Sequence, residues 1–188
     1  MSASRRQSPD TKAEIQAVAL ELFIEQGFTA TSLQQIADRI GVTKAALYYH
    51  FPSKADLARS IFLPWKDDLD AFLDEAEAHP ERSPRELIGD AFDVLVRHRG
   101  AFTAMMVDGS IIRHVDLIAW TGEWATRLQG LFVGPNPSIY QQTRVAIAFG
   151  GLNDAVFLLA QLPEEEVRPA AIDAVCGALG IETGELDN

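Results

Sequence analysis

An all-α fold follows from three observations. Apolar residues recur at intervals of three and four through nearly the whole chain. No alternating run of β-branched residues is long enough for a strand, and no Asn-Gly or Asp-Gly hairpin turn occurs. Capping residues and glycine stops punctuate the apolar stripes at helical lengths. About nine helices are predicted, divided into a three-helix N-terminal unit over residues 1–52 with a helix-turn-helix and a larger helical body over residues 53–188.

The first helix is predicted from about Ser8 or Asp10 to Gln26, with Ile15, Val18, Ala19, Leu22 and Phe23 as its buried stripe. Gly27 ends it, and Phe28 folds back on the core. Thr31 or Ser32 caps a second helix that buries Leu33, Ile36, Ala37 and Ile40. Gly41 stops that helix, Val42 packs beneath the turn, and Thr43 caps a third helix that turns Leu47 and Phe51 inward. Ser53 opens a long fourth helix to Ala78, which Pro64 kinks without ending because Trp65, Leu69, Phe72 and Leu73 continue the apolar stripe. Ser83-Pro84 opens the next helix and Gly100 breaks it. A short segment over Ala101–Val107 and a helix from about Ile111 to Phe132 follow. Ser138 caps a helix reaching about Leu162, and the last helix runs from Glu164–Glu166 to Gly180. Residues 1–7, with Arg5 and Arg6, read as a flexible basic arm, and the last eight residues as frayed.

The chain has 188 residues and a formal net charge of −11, unevenly distributed. Residues 1–60 hold seven Lys/Arg against six Asp/Glu, whereas residues 61–188 hold nine against twenty-one. A near-neutral head is thus joined to an acidic body, and with a screening length of ~8 Å the distant acid repels a polyanion only weakly. The single cysteine, Cys176, excludes an internal disulfide and sits on an apolar helix face. No apolar run reaches ~18 residues and the first ten residues lack a signal peptide's hydrophobic segment, so the chain is predicted to be soluble and cytoplasmic, with no membrane partner.

The third helix leaves Lys44, Ala45, Ala46, Tyr48, Tyr49 and His50 on or beside its free surface. Two aromatics at an exposed helix end imply that something docks there, and the helix-turn-helix geometry makes double-stranded DNA the partner. The stretch ALELFIEQGFTATSLQQIADRIGVTKAALYYHFPSKADL resembles the TetR family of bacterial transcriptional regulators, its aromatic, glycine and lysine positions agreeing in order and spacing. The resemblance implies that the third helix enters the major groove. Thr43, Lys44, Ala45, Ala46, Tyr48, Tyr49 and His50 then occupy DNA-contact positions, joined by Ser32 and Gln34 from the preceding helix and by Lys54, which matches a phosphate-binding lysine. Thr43, Tyr49, His50 and Lys54 are expected to bond phosphates, while Lys44, Gln34 and Tyr48 have the reach for base edges. Ala45 and Ala46 offer apolar contact, as with thymine methyls.

One helix-turn-helix meets few base pairs, so specific binding calls for two copies on a palindromic operator. A homodimer is expected through the last two long helices, where Ala146, Gly150, Gly151, Asn153 and Ala160 allow close approach and Val167, Ala171, Ala174, Ala178 and Leu179 form a stripe. Family resemblance implies that the body houses a small apolar or amphipathic inducer, with Phe92, Phe102, Met105, Met106, Trp120, Trp124, Phe149 and Asn153 as candidate lining; plain core packing is the competing reading of that set. No cofactor, metal or catalytic residue is predicted, since the chain has no phosphate loop, no nucleophile elbow and no His or Glu pair at metal-ligand spacing. The expected protein is a homodimeric repressor released from its operator by a small molecule. A ligand-independent regulator or activator, or an interaction module that has lost DNA binding, are the alternatives.

Overall fold

The computed structural model describes residues 9–181, without side-chain detail for residues 9, 10 and 118. The basic arm with Arg5 and Arg6 lies outside the described residues, as does the frayed end beyond Ile181. The described residues contain no strand. They form α1 (Pro9–Gln26), α2 (Leu33–Ile40), α3 (Lys44–His50), α4 (Lys54–Ala78), α5 (Pro84–Arg97), α6 (Arg99–Val107), a 3-10 helix (Gly109–His114), α7 (Leu117–Val133), α8 (Ile139–Leu158) and α9 (Glu164–Leu179).

Two compact units result. The first joins the described residues up to Pro64 with Gly100–Leu117, and the second joins Trp65–Arg99 with the described residues from position 118 on. In the first, Ile15, Phe23, Ile36, Leu47, Leu57, Phe62 and Ile111 are fully buried, and Phe28 meets Phe23 edge-on at 5.3 Å between ring centres. In the second, α8 and α9 pack on each other and α5 packs on both, with Ile88, Phe92, Leu152, Ile172 and Val175 in the core. Arg168 of α9 reaches Asp93 of α5 through two hydrogen bonds of 2.8 and 2.9 Å.

Helix α4 continues through Pro64, as its apolar stripe predicts. A proline there leaves the Ser60 carbonyl without its usual donor four residues on. The Gln16 side-chain amide on α1 fills the gap, donating to Ser60 O at 3.0 Å and to Ser60 Oγ at 2.9 Å.

Three boundaries differ from the sequence reading. Gly100 does not break α5: His98 closes that helix, and Gly100 lies in the first turn of α6, where an added Cβ would stand 3.2 Å from Leu20 Cδ2. Its smallness serves close approach, not termination. The helix placed at Ile111–Phe132 is split, because the Asp108 side chain caps a 3-10 turn and Asp116 takes a left-handed φ of 53° before α7 starts. Finally, α8 stops at Leu158 instead of Leu162. Beyond Val156 the apolar residues Leu158, Leu159 and Leu162 are exposed, so they add no buried apolar contact to hold that turn helical.

Replacing Gln16 with Leu is expected to destabilise the first unit by about 1 kcal/mol, since a half-buried carbonyl loses its donor. In a Pro64→Ala background, where residue 64 regains its N–H, the same replacement is expected to cost measurably less in urea unfolding.

Candidate nucleic-acid interface

Local chemistry sets the α2–turn–α3 geometry. Ser32, not Thr31, caps α2: its hydroxyl accepts from Gln35 N at 3.2 Å while Gln35 Oε1 accepts from Ser32 N at 2.7 Å. Thr31 is turned inward, 1% exposed, and donates to Gly27 O at 2.8 Å. Gly41 closes α2 at a left-handed φ of 72°, although a Cβ there would meet nothing within 4 Å. Backbone conformation alone therefore calls for glycine at this corner. Val42 N then donates to Ala37 O at 3.0 Å, and Thr43 Oγ1 accepts from Ala46 N at 3.2 Å to start α3.

Leu47 is wholly buried and Phe51, 3% exposed, closes α3 by donating its N–H to Leu47 O. That anchoring turns the opposite face outward. Lys44, Ala45 and Ala46 are exposed, Tyr48 is 43% exposed and Tyr49 77%. The Lys44 ammonium lies 5.7 Å from the Tyr48 ring centre, and the Tyr49 and His50 rings meet edge-on at 5.4 Å. On α2, Ser32 and Gln34 are exposed, and the Gln34 amide donates to Asp38 Oδ1 at 2.6 Å.

Lys54 behaves differently from the residues around it. Its ammonium donates to Phe28 O at 2.6 Å, Thr31 O at 2.6 Å and Thr29 O at 3.3 Å, and it lies 4.4 Å from the Phe28 ring centre. The family resemblance implies a phosphate contact for Lys54; in this structure its ammonium gathers the carbonyls of the α1–α2 turn. Burial pushes its pKa down, and the Asp108 carboxylate works in the opposite direction.

Asp108 grips the same turn. Its carboxylate accepts from Thr29 N at 2.6 Å and from Ser110 N at 3.0 Å, while the Thr29 and Ser110 hydroxyls lie 3.0 Å apart. Hydrogen bonds from Ser110 and Thr29 hold the Asp108 carboxyl well below the usual carboxylate range. The His114 ring sits 5.0 Å from that of Phe28, and its carbonyl accepts from Arg59 Nε at 3.1 Å. Asp108, Ser110 and His114 are not among the DNA-contact positions expected from the sequence. Asp108 and Thr29 are 79 positions apart, and no local signal joins them.

The ligand candidates fall in both units. Phe102 and Met105 are half-buried and Met106 is 57% exposed, all in the first. In the second, Trp124 is buried with its ring 6.2 Å from both Trp65 and Trp120, and its Nε1 donates to Asp70 at 2.8 Å. Lys66 pairs with the same Asp70. Phe149 lies 5.1 Å from Phe132, Asn153 is half-buried and Phe92 is core. Two cavities in the second unit, of about 490 Å³ beside Arg127 and Leu87 and about 230 Å³ between α8 and α9, are lined by none of these eight residues. Among the described residues no cluster could hold a metal ion, and no helix is long and apolar enough to cross a membrane.

Residues 15–61, which hold α2, α3, most of α1 and the start of α4, match the family model for bacterial regulatory proteins of the tetR family. The HTH-type transcriptional regulator AcrR of Shigella flexneri is 42% identical over 59 residues, 31% of this chain and 27% of that protein. Over these residues the chain is similar to the TetR family. A second relative, the HTH-type transcriptional regulator TtgR of Pseudomonas putida, is 30% identical over 97 residues, 50% of this chain and 46% of its own length. The chain thus spans less than half of the length of these two curated relatives. Likeness of fold extends further: a transcriptional regulator (TerR/AcrR family) from Aquifex aeolicus VF5 superposes with a TM-score of 0.71 at 24% identity, covering 91% of this chain and 98% of that one.

The folded pKa of Asp108 lies below its unfolded value, so its stabilisation is complete above the ordinary carboxylate range and is lost as pH falls through the folded value. Asp108→Asn is expected to destabilise the protein by about 1–2 kcal/mol at pH 7. Urea unfolding across a pH series should show the gap to the parent narrowing below about pH 4.

Proposed function

We propose that the chain is a DNA-binding transcriptional regulator, acting as a homodimeric repressor on a palindromic operator. The outward face of α3 carries this reading. A seven-residue helix fixed by Leu47 and Phe51 presents Tyr49, 77% exposed, beside Lys44, Ala45, Ala46 and Tyr48. Two tyrosines and a lysine on a solvent-facing helix suit a docked partner, and the helix's dimensions suit the major groove. The two curated relatives are both HTH-type transcriptional regulators, which supports the same reading. Thr43, Tyr49 and His50 are assigned to phosphates, and Lys44, Gln34 and Tyr48 to base edges, with Ser32, Ala45 and Ala46 completing the surface.

Dimerisation is assigned to α8 and α9. Ile139 and Ile147 are 82% and 64% exposed, with Gly150, Gly151 and Leu158 exposed further along α8 and Ala174 on α9. A second copy laid on this face would cover apolar area that the single chain leaves in water. A small apolar or amphipathic inducer is assigned to the second unit, where the cavity of about 490 Å³ beside Arg127 and Leu87 offers the space. Occupancy would favour a state of lower DNA affinity, conveyed along α4, which runs through both units. A preference of about 2–3 kcal/mol between states loosens binding roughly 30–150-fold.

Full-length protein is expected to select a duplex from a random-sequence DNA library, bind it with two chains per duplex, and weaken steeply with salt. Tyr49→Phe should weaken that complex by roughly tenfold or more through loss of a charge-assisted hydrogen bond, at unchanged melting temperature. Failure to select any duplex, or an unaltered Tyr49→Phe affinity, would refute the assignment.

A further inference from the structure

We infer that the cavity of about 490 Å³ in the second unit takes an uncharged apolar molecule bearing a hydrogen-bond acceptor, such as a ketone carbonyl, which Arg82 and Arg127 receive. The inference deepens the inducer reading above and rests on it. The cavity lies among the end of α4, the start of α5 and the end of α7, with Leu87, Leu131 and Phe132 as apolar walls. Its volume falls within the ~300–1,000 Å³ of small-molecule sites. Gly130 of α7 also lines it, and a Cβ there would meet nothing within 4 Å. Its backbone is helical, so neither conformation nor close approach asks for glycine, which costs a helix about 1 kcal/mol relative to alanine. The missing side chain leaves the space open.

The side-chain polar groups left open on this wall are donors. Arg127 Nε donates to Glu77 Oε1 at 2.8 Å, and its Nη2 donates to Glu77 Oε2 at 2.9 Å and Asp74 Oδ1 at 2.6 Å. Arg82 Nη2 donates to Asp90 Oδ2 at 2.6 Å. A guanidinium has N–H groups on all three nitrogens, and among the described residues no acceptor meets Nη1 of either arginine. Both side chains are largely covered, Arg127 being 19% exposed and Arg82 27%. An apolar occupant that shuts out water leaves those N–H groups unpaired unless it brings an acceptor. Charge then narrows the class. Glu77, the one carboxylate on the wall, gives both oxygens to Arg127, so a ligand ammonium would lie against N–H hydrogens. A ligand carboxylate would enter a corner where Asp74, Glu77 and Asp90 already outnumber the two guanidinium groups, with Glu75 and Glu86 near Arg82 as well. A carbonyl accepts the same hydrogen bonds and adds no charge.

The test uses full-length protein and the fluorophore propionyl-dimethylaminonaphthalene, an uncharged ketone whose emission moves to the blue in an apolar site. Four naphthalenes of matched size compete with it: the methyl ketone, the ethyl hydrocarbon, the carboxylate and the methylammonium. The methyl ketone is expected to displace the fluorophore at a concentration roughly tenfold or more below that of each of the other three, the size expected for a hydrogen bond from a charged donor. Arg82→Met and Arg127→Met are each expected to narrow the gap between ketone and hydrocarbon. Gly130→Phe, which fills the cavity, is expected to abolish the blue shift without lowering the melting temperature. Displacement by the methylammonium or the carboxylate at the ketone's concentration would overturn the ligand class and leave the cavity as the inducer site. A ketone preference unaltered in both arginine variants would overturn it too; should Arg127→Met fail to fold, Arg82→Met decides alone. A blue shift that survives Gly130→Phe, or none with the parent protein, would refute the cavity as the inducer site, a result distinct from any order among the competitors.

Discussion

The turn Gly27–Thr31 is the point on which the first unit's geometry depends. Its carbonyls cannot pair within a helix, since α1 ends at Gln26 and α2 starts only at Leu33. Lys54 collects three of them, the Thr31 hydroxyl takes a fourth from Gly27, and Asp108 accepts the Thr29 N–H. Groups from α4 and from the segment after α6 thus converge on one short loop. The angle at which α2 and α3 leave α1 follows from that convergence, so the register of the exposed tyrosines is fixed by polar bonds as well as by Leu47 and Phe51.

Charge economy gives this arrangement its consequence. A chain of net charge −11 that approaches a polyanion has few cations to lose. Within the described part of the head, Arg39 and Arg59 are bound to carboxylates and Lys54 to carbonyls. On the DNA-binding reading proposed above, affinity rests on a small number of well-placed ammonium and hydroxyl groups. Such a surface positions itself through few phosphates and is correspondingly sensitive to each one.

Much of the fold could be read from residues in order. Gly41, Thr43, Leu47 and Phe51 each act within four positions of a partner, so their roles in the turn and in α3 were legible, as were the caps Ser83, Ser138 and Gly180. The persistence of α4 through Pro64 was legible too, because its apolar stripe outlasts the proline. Other features depend on partners far away in sequence. Gly100 looks like a helix stop until Leu20 is seen beside it. Lys54 is matched to a phosphate ligand by resemblance, while the carbonyls it meets in this structure lie some 25 positions earlier and could not be read from its neighbours. The exposed leucines at the end of α8 lengthened the predicted helix because apolar spacing cannot tell a residue packed within the chain from one left exposed.

Hydrogen–deuterium exchange of the full chain, with and without a selected duplex, tests the central claim most directly. Protection on binding is expected to concentrate in residues 32–54, strongest along α3, and to leave the amides of α5 at their free-state rates. Protection confined to the second unit, or unchanged exchange along α3 in a saturated complex, would contradict a groove-facing α3.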